Sequence, residues 1–204
     1  MNFVKSFFVF LFIFNSYKAI SQEVITDTTA LPYLQKAEFN FLGVGLNYEI
    51  PVSHGLTLDS GFGFSGGASI LNNKIKFKYR ENFLNPSFYI KSELKYYYNR
   101  YVRIAKKLPT RNGEGSYFGI QNKFLSQRLF DSKSRLSNVM LYEFHWGIQR
   151  NLYPDFLFNF HVGIGHSYDF TTKGNTFYSA FGVKVSYVFT TKKITRSSFE
   201  KFKF

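Results

Sequence analysis

From about residue 37 onward the chain alternates, apolar then polar or small, in one segment after another. Residues 42–50 put Leu42, Val44, Leu46, Tyr48 and Ile50 on one side and Gly43, Gly45, Asn47 and Glu49 on the other. Residues 56–64 repeat the pattern with Leu56, Leu58, Phe62 and Phe64 against Thr57, Asp59, Gly61 and Gly63. Residues 88–98 set Phe88, Ile90, Leu94, Tyr96 and Tyr98 against Tyr89, Lys91, Glu93, Lys95 and Tyr97. Residues 117–125 alternate more weakly, and residues 140–148, 158–164 and 181–189 complete the series. A period of two is that of a β-strand, whose successive side chains point to opposite faces. The pattern therefore predicts an all-β chain with seven clear strands.

What lies on each face decides how the strands are used. One face is uniformly large and apolar, while the other mixes Gly, Asn, Glu, Lys and His. A soluble sandwich buries its large apolar residues and exposes charges, and an exposed strand does not favour glycine. Glycine suits a narrow lumen in which side chains share space. Segments of about 9–11 residues also match the length of a tilted membrane-crossing strand. The expectation is a closed antiparallel transmembrane β-barrel, apolar outside and polar inside.

Connection lengths fit this reading. Residues 51–55 and 150–155 read as short periplasmic turns, and residues 65–86, 126–138 and 167–179 as longer outer loops. The connection 100–114 is long and basic, yet alternation places it on the periplasmic side. Bacterial single-chain barrels use an even number of strands, so seven requires an eighth, expected within residues 22–36. Residues 73–79 read as an outer hairpin extension.

The N-terminus adds a location. Lys5 begins a positive region, residues 7–14 form a short apolar stretch, and Ala19-Ile20-Ser21 is a small-x-small cleavage site before Gln22. Residues 1–21 are thus expected to be a cleaved export signal, 22–189 the barrel and 190–204 a basic tail. The chain has no cysteine, which excludes disulfides and thiolate metal sites. The formal charge is +13, and loss of Lys5 and Lys18 with the leader takes 26 basic residues to 24 against 13 acidic, a balance of +11. An exported basic chain meets anionic lipid or lipopolysaccharide phosphate rather than nucleic acid.

The runs Leu94-Lys95-Tyr96-Tyr97-Tyr98-Asn99, Gly115-Ser116-Tyr117-Phe118-Gly119, Trp146-Gly147-Ile148-Gln149-Arg150-Asn151 and Val162-Gly163-Ile164-Gly165 resemble small outer-membrane β-barrel proteins of Bacteroidota. The resemblance implies a Gram-negative outer membrane, a single barrel without a periplasmic domain, and a monomer. The last strand, Val183-Lys184-Val185-Ser186-Tyr187-Val188-Phe189, is similar to the signal that barrel-assembly machinery recognises. Residues 190–204 depart from that pattern, since such barrels often end at the final Phe. The group implies fold and place but no chemistry.

Strand parity puts Asn47, Glu49, Asp59, Lys91, Glu93, Lys95, Glu143, His145, Gln149, Asn159, His161 and Lys184 on the lumen face. Buried charges persist only when paired, so the near-balanced acids and lysines are expected to form a network that fills the lumen. In a hairpin centred on Tyr153, His145 lies opposite His161 with Glu143 diagonal to it. Two imidazoles and a carboxylate suit zinc, but no metal-specific motif supports it, and the histidines are expected to be lumen lining. No metal, cofactor or catalytic role is assigned. His166 and Ser167 hint at acyl-chain hydrolysis at the rim, yet neighbours on a strand point to opposite faces. Lys74, Lys76, Lys78 and Arg80 form an outer basic loop suited to lipopolysaccharide phosphates. The leading expectation is a non-enzymatic structural or surface-interaction barrel. A narrow transport or small-ligand barrel stands second and a lipid-modifying enzyme third.

Overall fold

The computed structural model describes residues 31–40, 43–66, 68–71, 74–77, 86–128 and 137–192. Eight strands close into one antiparallel barrel, with a separate two-stranded hairpin. In chain order these are β1 (Tyr33–Asn40), β2 (Gly43–Pro51), β3 (Leu56–Ser65), the hairpin β4 (Ala68–Leu71) and β5 (Lys74–Phe77), and β6 (Ser87–Tyr96). A short helix α1 (Arg100–Ala105) and a 3-10 turn (Arg111–Gly113) follow, then β7 (Gly115–Arg128), β8 (Val139–Tyr153), β9 (Phe156–Asp169) and β10 (Asn175–Lys192). Barrel strands pair with their sequence neighbours, β3 reaches β6 past the hairpin, and β1 closes the circle on β10. The all-β closed barrel with eight strands expected from alternation and parity is the architecture found. Among the described residues no helix is long and apolar enough to cross a membrane.

Three expectations are corrected. The eighth strand is β1, which shares only residues 33–36 with the segment 22–36 and continues to Asn40. Its outward positions include Gln35 and Ala37, which hide the alternation. The connection expected over 167–179 shrinks to residues 170–174, because β9 and β10 extend toward each other. There Asp169 Oδ1 accepts bonds from the Thr171 and Thr172 amides at 2.8 and 3.0 Å, which folds the chain back at once. The third concerns register: the β8–β9 hairpin turns at Pro154-Asp155, not Tyr153, with an irregularity between Asn151 and Tyr153. Proline presets the backbone angle of a turn's first central position. The leader 1–21 and residues 193–204 of the tail lie outside the described residues.

The walls follow the sequence parity. On the outer surface Phe39, Leu46, Phe62, Ile90, Ile120, Phe144, Val162, Ile164 and Phe181 are all exposed. Tyrosines and the single tryptophan cluster toward the end where β2 and β8 finish. Tyr33 stacks on Tyr48 with centroids 6.3 Å apart, and Trp146 Nε1 donates to Tyr98 Oη at 3.0 Å. A strand of ten residues such as β6 rises about 25 Å along the axis at about 3.3 Å per residue and about 40° of tilt.

The lumen is closed at both ends by apolar groups. At the loop end Ala68, Tyr89, Leu125, Val139 and Leu141 form one buried cluster, with Ile75 of the hairpin and Tyr178 against it. At the turn end Leu31 packs with Tyr97 and Tyr117, and Leu34 with Leu157 and Val188. The long connection 97–114 folds over this end. Asn112, in the left-handed region at φ 51°, donates through Nδ2 to Asn151 Oδ1 and to the Pro154 carbonyl, both at 3.1 Å. Its Oδ1 accepts from Thr191 Oγ1 at 3.0 Å, so one side chain ties three segments together.

Candidate functional site

Between the two apolar caps lies an ionic layer. Glu38, Glu49, Asp59, Glu93 and Glu143 supply carboxylates, and Lys36, Lys91, Lys95, Lys123 and Lys184 supply ammonium groups. All but the partly exposed Glu143 are buried. The charges on these ten groups cancel, which is the condition for burying them. At its centre Asp59 takes Lys36 Nζ at 2.8 Å and Lys95 Nζ at 2.7 Å. Glu49 takes the same two lysines at 2.6 and 3.3 Å, and Thr57 and Tyr97 hydroxyls at 2.8 and 3.1 Å. Toward the loop end, Lys91 pairs with Glu38 at 2.6 Å and Lys184 with Glu93 at 3.1 Å. Lys123 lies over the Tyr89 ring, 4.4 Å from its centroid.

Of the lumen residues read from parity, Glu49, Asp59 and Lys95 meet directly, and Lys184, Glu93 and His145 form a second group. Gln149 and Asn159 join the two sides, with Asn159 Nδ2 donating to Gln149 Oε1 at 3.3 Å and Asn159 Oδ1 accepting from Tyr117 Oη at 2.9 Å. Sequence reasoning missed Lys36 and Glu38, which sit on the unrecognised first strand. It also missed Gln121, Lys123 and Tyr178, although Gln121 and Lys123 have the odd parity that marks the lumen side of β7. Lys74 and Lys76 lie on β5, while Lys78 and Arg80 are outside the described residues.

The second group contains the two lumen histidines. The corrected register pairs His145 with Gly163 and His161 with Gly147, so the imidazoles are diagonal neighbours and not directly opposed. Their centroids are 4.5 Å apart, with planes inclined by 38°. His145 Nε2 donates to Glu93 Oε1 at 3.0 Å. Glu143 accepts from Tyr178 Oη at 2.7 Å and from Gln121 Nε2 at 2.8 Å, and lies 4.0 Å from His161 Nε2. Glycine makes this crowding possible. Gly119 on β7 faces His145 and Gly182 on β10 faces His161, and a Cβ at either would strike the imidazole ring. His166 and Ser167 are separated by the strand: His166 stacks outside between Tyr142 and Phe177, whereas Ser167 is buried and donates to the Thr176 carbonyl at 3.1 Å.

Comparison with protein-family models, with curated proteins and with solved structures returns no match for this chain.

Proposed function

We propose that this chain is an integral outer-membrane β-barrel whose filled lumen makes it a structural or surface-interaction protein, not a pore. The observation that carries the reading is its inversion: buried charges inside and a continuous exposed apolar surface outside. In water such a surface far exceeds the patch size that soluble monomers tolerate. In a bilayer it is the expected face, and a span of about 25 Å with tyrosines toward one rim matches an outer-membrane apolar band. Strands in lipid must satisfy every backbone group, and closure of β1 on β10 leaves no edge.

The N-terminal leader supports export, and the alternating β10 with its outward Phe189 suits recognition by barrel-assembly machinery. The resemblance to small outer-membrane barrels of Bacteroidota points to the same place. Lipopolysaccharide or other anionic lipid is the natural partner of so basic a chain, and Lys74 and Lys76, on the hairpin strand β5, lie on the side where it would meet the outer leaflet. An eight-strand lumen is just wide enough for side chains to fill, and here the ionic layer and both apolar caps fill it. The purified barrel in planar lipid bilayers is therefore expected to give no steady single-channel current. Stable channels would overturn the filled-lumen reading in favour of a narrow transport barrel.

A further inference from the structure

The histidine pair offers more than lumen lining. Glu143, His145 and His161 each present a ligand atom, and the three atoms lie within 4.8 Å of one another. We infer that this cluster is a binding site for one borderline divalent cation of the zinc class, held by His145 Nδ1, an imidazole nitrogen of His161 and the Glu143 carboxylate.

Four features support it. The first is the hydrogen bond from His145 Nε2 to Glu93. It fixes the tautomer and leaves Nδ1 with a lone pair, the arrangement in which a carboxylate orients a metal-binding histidine. Second, Nδ1 of His145 and Nδ1 of His161 are both buried and have no hydrogen-bond partner. A buried acceptor without a partner is costly, and a cation supplies one. Third, the carboxylate is held in place by Tyr178 and Gln121, each of which takes one lone pair and leaves others for coordination. Last, every position directly opposite the imidazoles is glycine: Gly119, Gly147, Gly163 and Gly182. At Gly119 and Gly182 the rings occupy the space a Cβ would take, so the two imidazoles fit side by side in the lumen only because these positions are glycine.

Zinc in tetrahedral geometry needs its protein ligands about 3.3 Å apart, given metal–ligand bonds of about 2.0–2.1 Å. The three donors, all within 4.8 Å of one another, must therefore close by at most about 1.5 Å around the ion. The Lys184 ammonium is already bound to Glu93 at 3.1 Å. Glu143 is the member that solvent reaches, its side chain 11% exposed. Two nitrogens and one oxygen select zinc, cobalt or nickel over magnesium and calcium, which prefer all-oxygen shells.

The test is calorimetric titration of the folded barrel in detergent micelles with zinc chloride, and absorption spectroscopy with cobalt chloride as a reporter of ligand geometry. One equivalent of zinc is expected to bind, and magnesium not at all. His161→Asn and Glu143→Gln are each expected to weaken zinc binding at least tenfold. Glu93→Gln, which disturbs only the orienting bond, should weaken it less, and its cobalt spectrum should shift. His54→Asn and His166→Asn, outside the cluster, are expected to leave the affinity unchanged. Heat-modifiable gel migration establishes that each variant is folded, and two independent ligand variants keep the test intact if one does not fold. Absence of saturable zinc binding overturns the proposal. So does an affinity indifferent to both ligand substitutions, or one that falls with His54 or His166 instead.

Discussion

Asp59 is the residue on which the ionic layer turns. Its carboxylate holds Lys36 and Lys95 at 2.8 and 2.7 Å and accepts from Asn47 Nδ2 at 3.0 Å. Neutralising it leaves two buried ammonium groups sharing Glu49 alone. Asp59→Asn is expected to cost about 3–5 kcal/mol of stability, because an uncompensated buried charge is far more costly than a missing pair. Urea unfolding of the barrel in micelles measures it. Replacing both members of a pair behaves differently: Glu38→Leu with Lys91→Met is expected to cost much less than the sum of the two single changes. If the double variant costs the full sum, Glu38 and Lys91 do not act as a pair. The same residue-scale logic explains why glycine is placed so often on the inner wall. Each large inward ring, such as His145 over Gly119, needs a neighbour without a Cβ.

At the scale of elements, the turn-end connection lies outside the barrel wall yet is tied to it at several points. Asn112 in its left-handed backbone conformation bonds to Asn151, the Pro154 carbonyl and Thr191. Asn112→Ala removes these bonds and adds backbone strain, with an expected loss of about 2–3 kcal/mol. Asn112→Gly removes the bonds but not the conformation, and is expected to cost about 1 kcal/mol less. Equal losses in the two variants, read by the same urea unfolding, would mean that the backbone conformation carries no part of the effect. Most strands were legible because their outer positions are large and apolar while their inner ones are polar or glycine. β1 was not, since Gln35 and Ala37 face outward and Lys36 and Glu38 inward, which leaves few apolar residues to mark a face. Losing β1 also lost Lys36, the partner of both Glu49 and Asp59. The histidine geometry was legible only to within its face. Parity placed His145 and His161 in the lumen, but their register depends on which residues make the turn, and Pro154-Asp155 moved it by two. That Glu143 reaches the imidazoles depends on how side chains pack across a closed wall, which periodicity along one strand does not encode.

At the scale of the whole molecule, a chain without disulfides must gain stability from pairing and burial. It does so with a sheet that has no free edge, an ionic layer whose charges cancel, and apolar plugs at both ends. Its outer surface is the part that water does not suit, and the membrane reading rests on that surface. The chain carries a single tryptophan, and Trp146 sits on this face, bonded to Tyr98 near the tyrosine-rich rim. Its fluorescence therefore reports the environment of the outer wall without any substitution. With the barrel reconstituted in phospholipid vesicles, brominated acyl chains are expected to quench Trp146 strongly, most of all when bromine lies near the headgroups, while aqueous iodide leaves it nearly untouched. A Trp146 that iodide quenches freely and brominated lipid does not would contradict the inverted barrel.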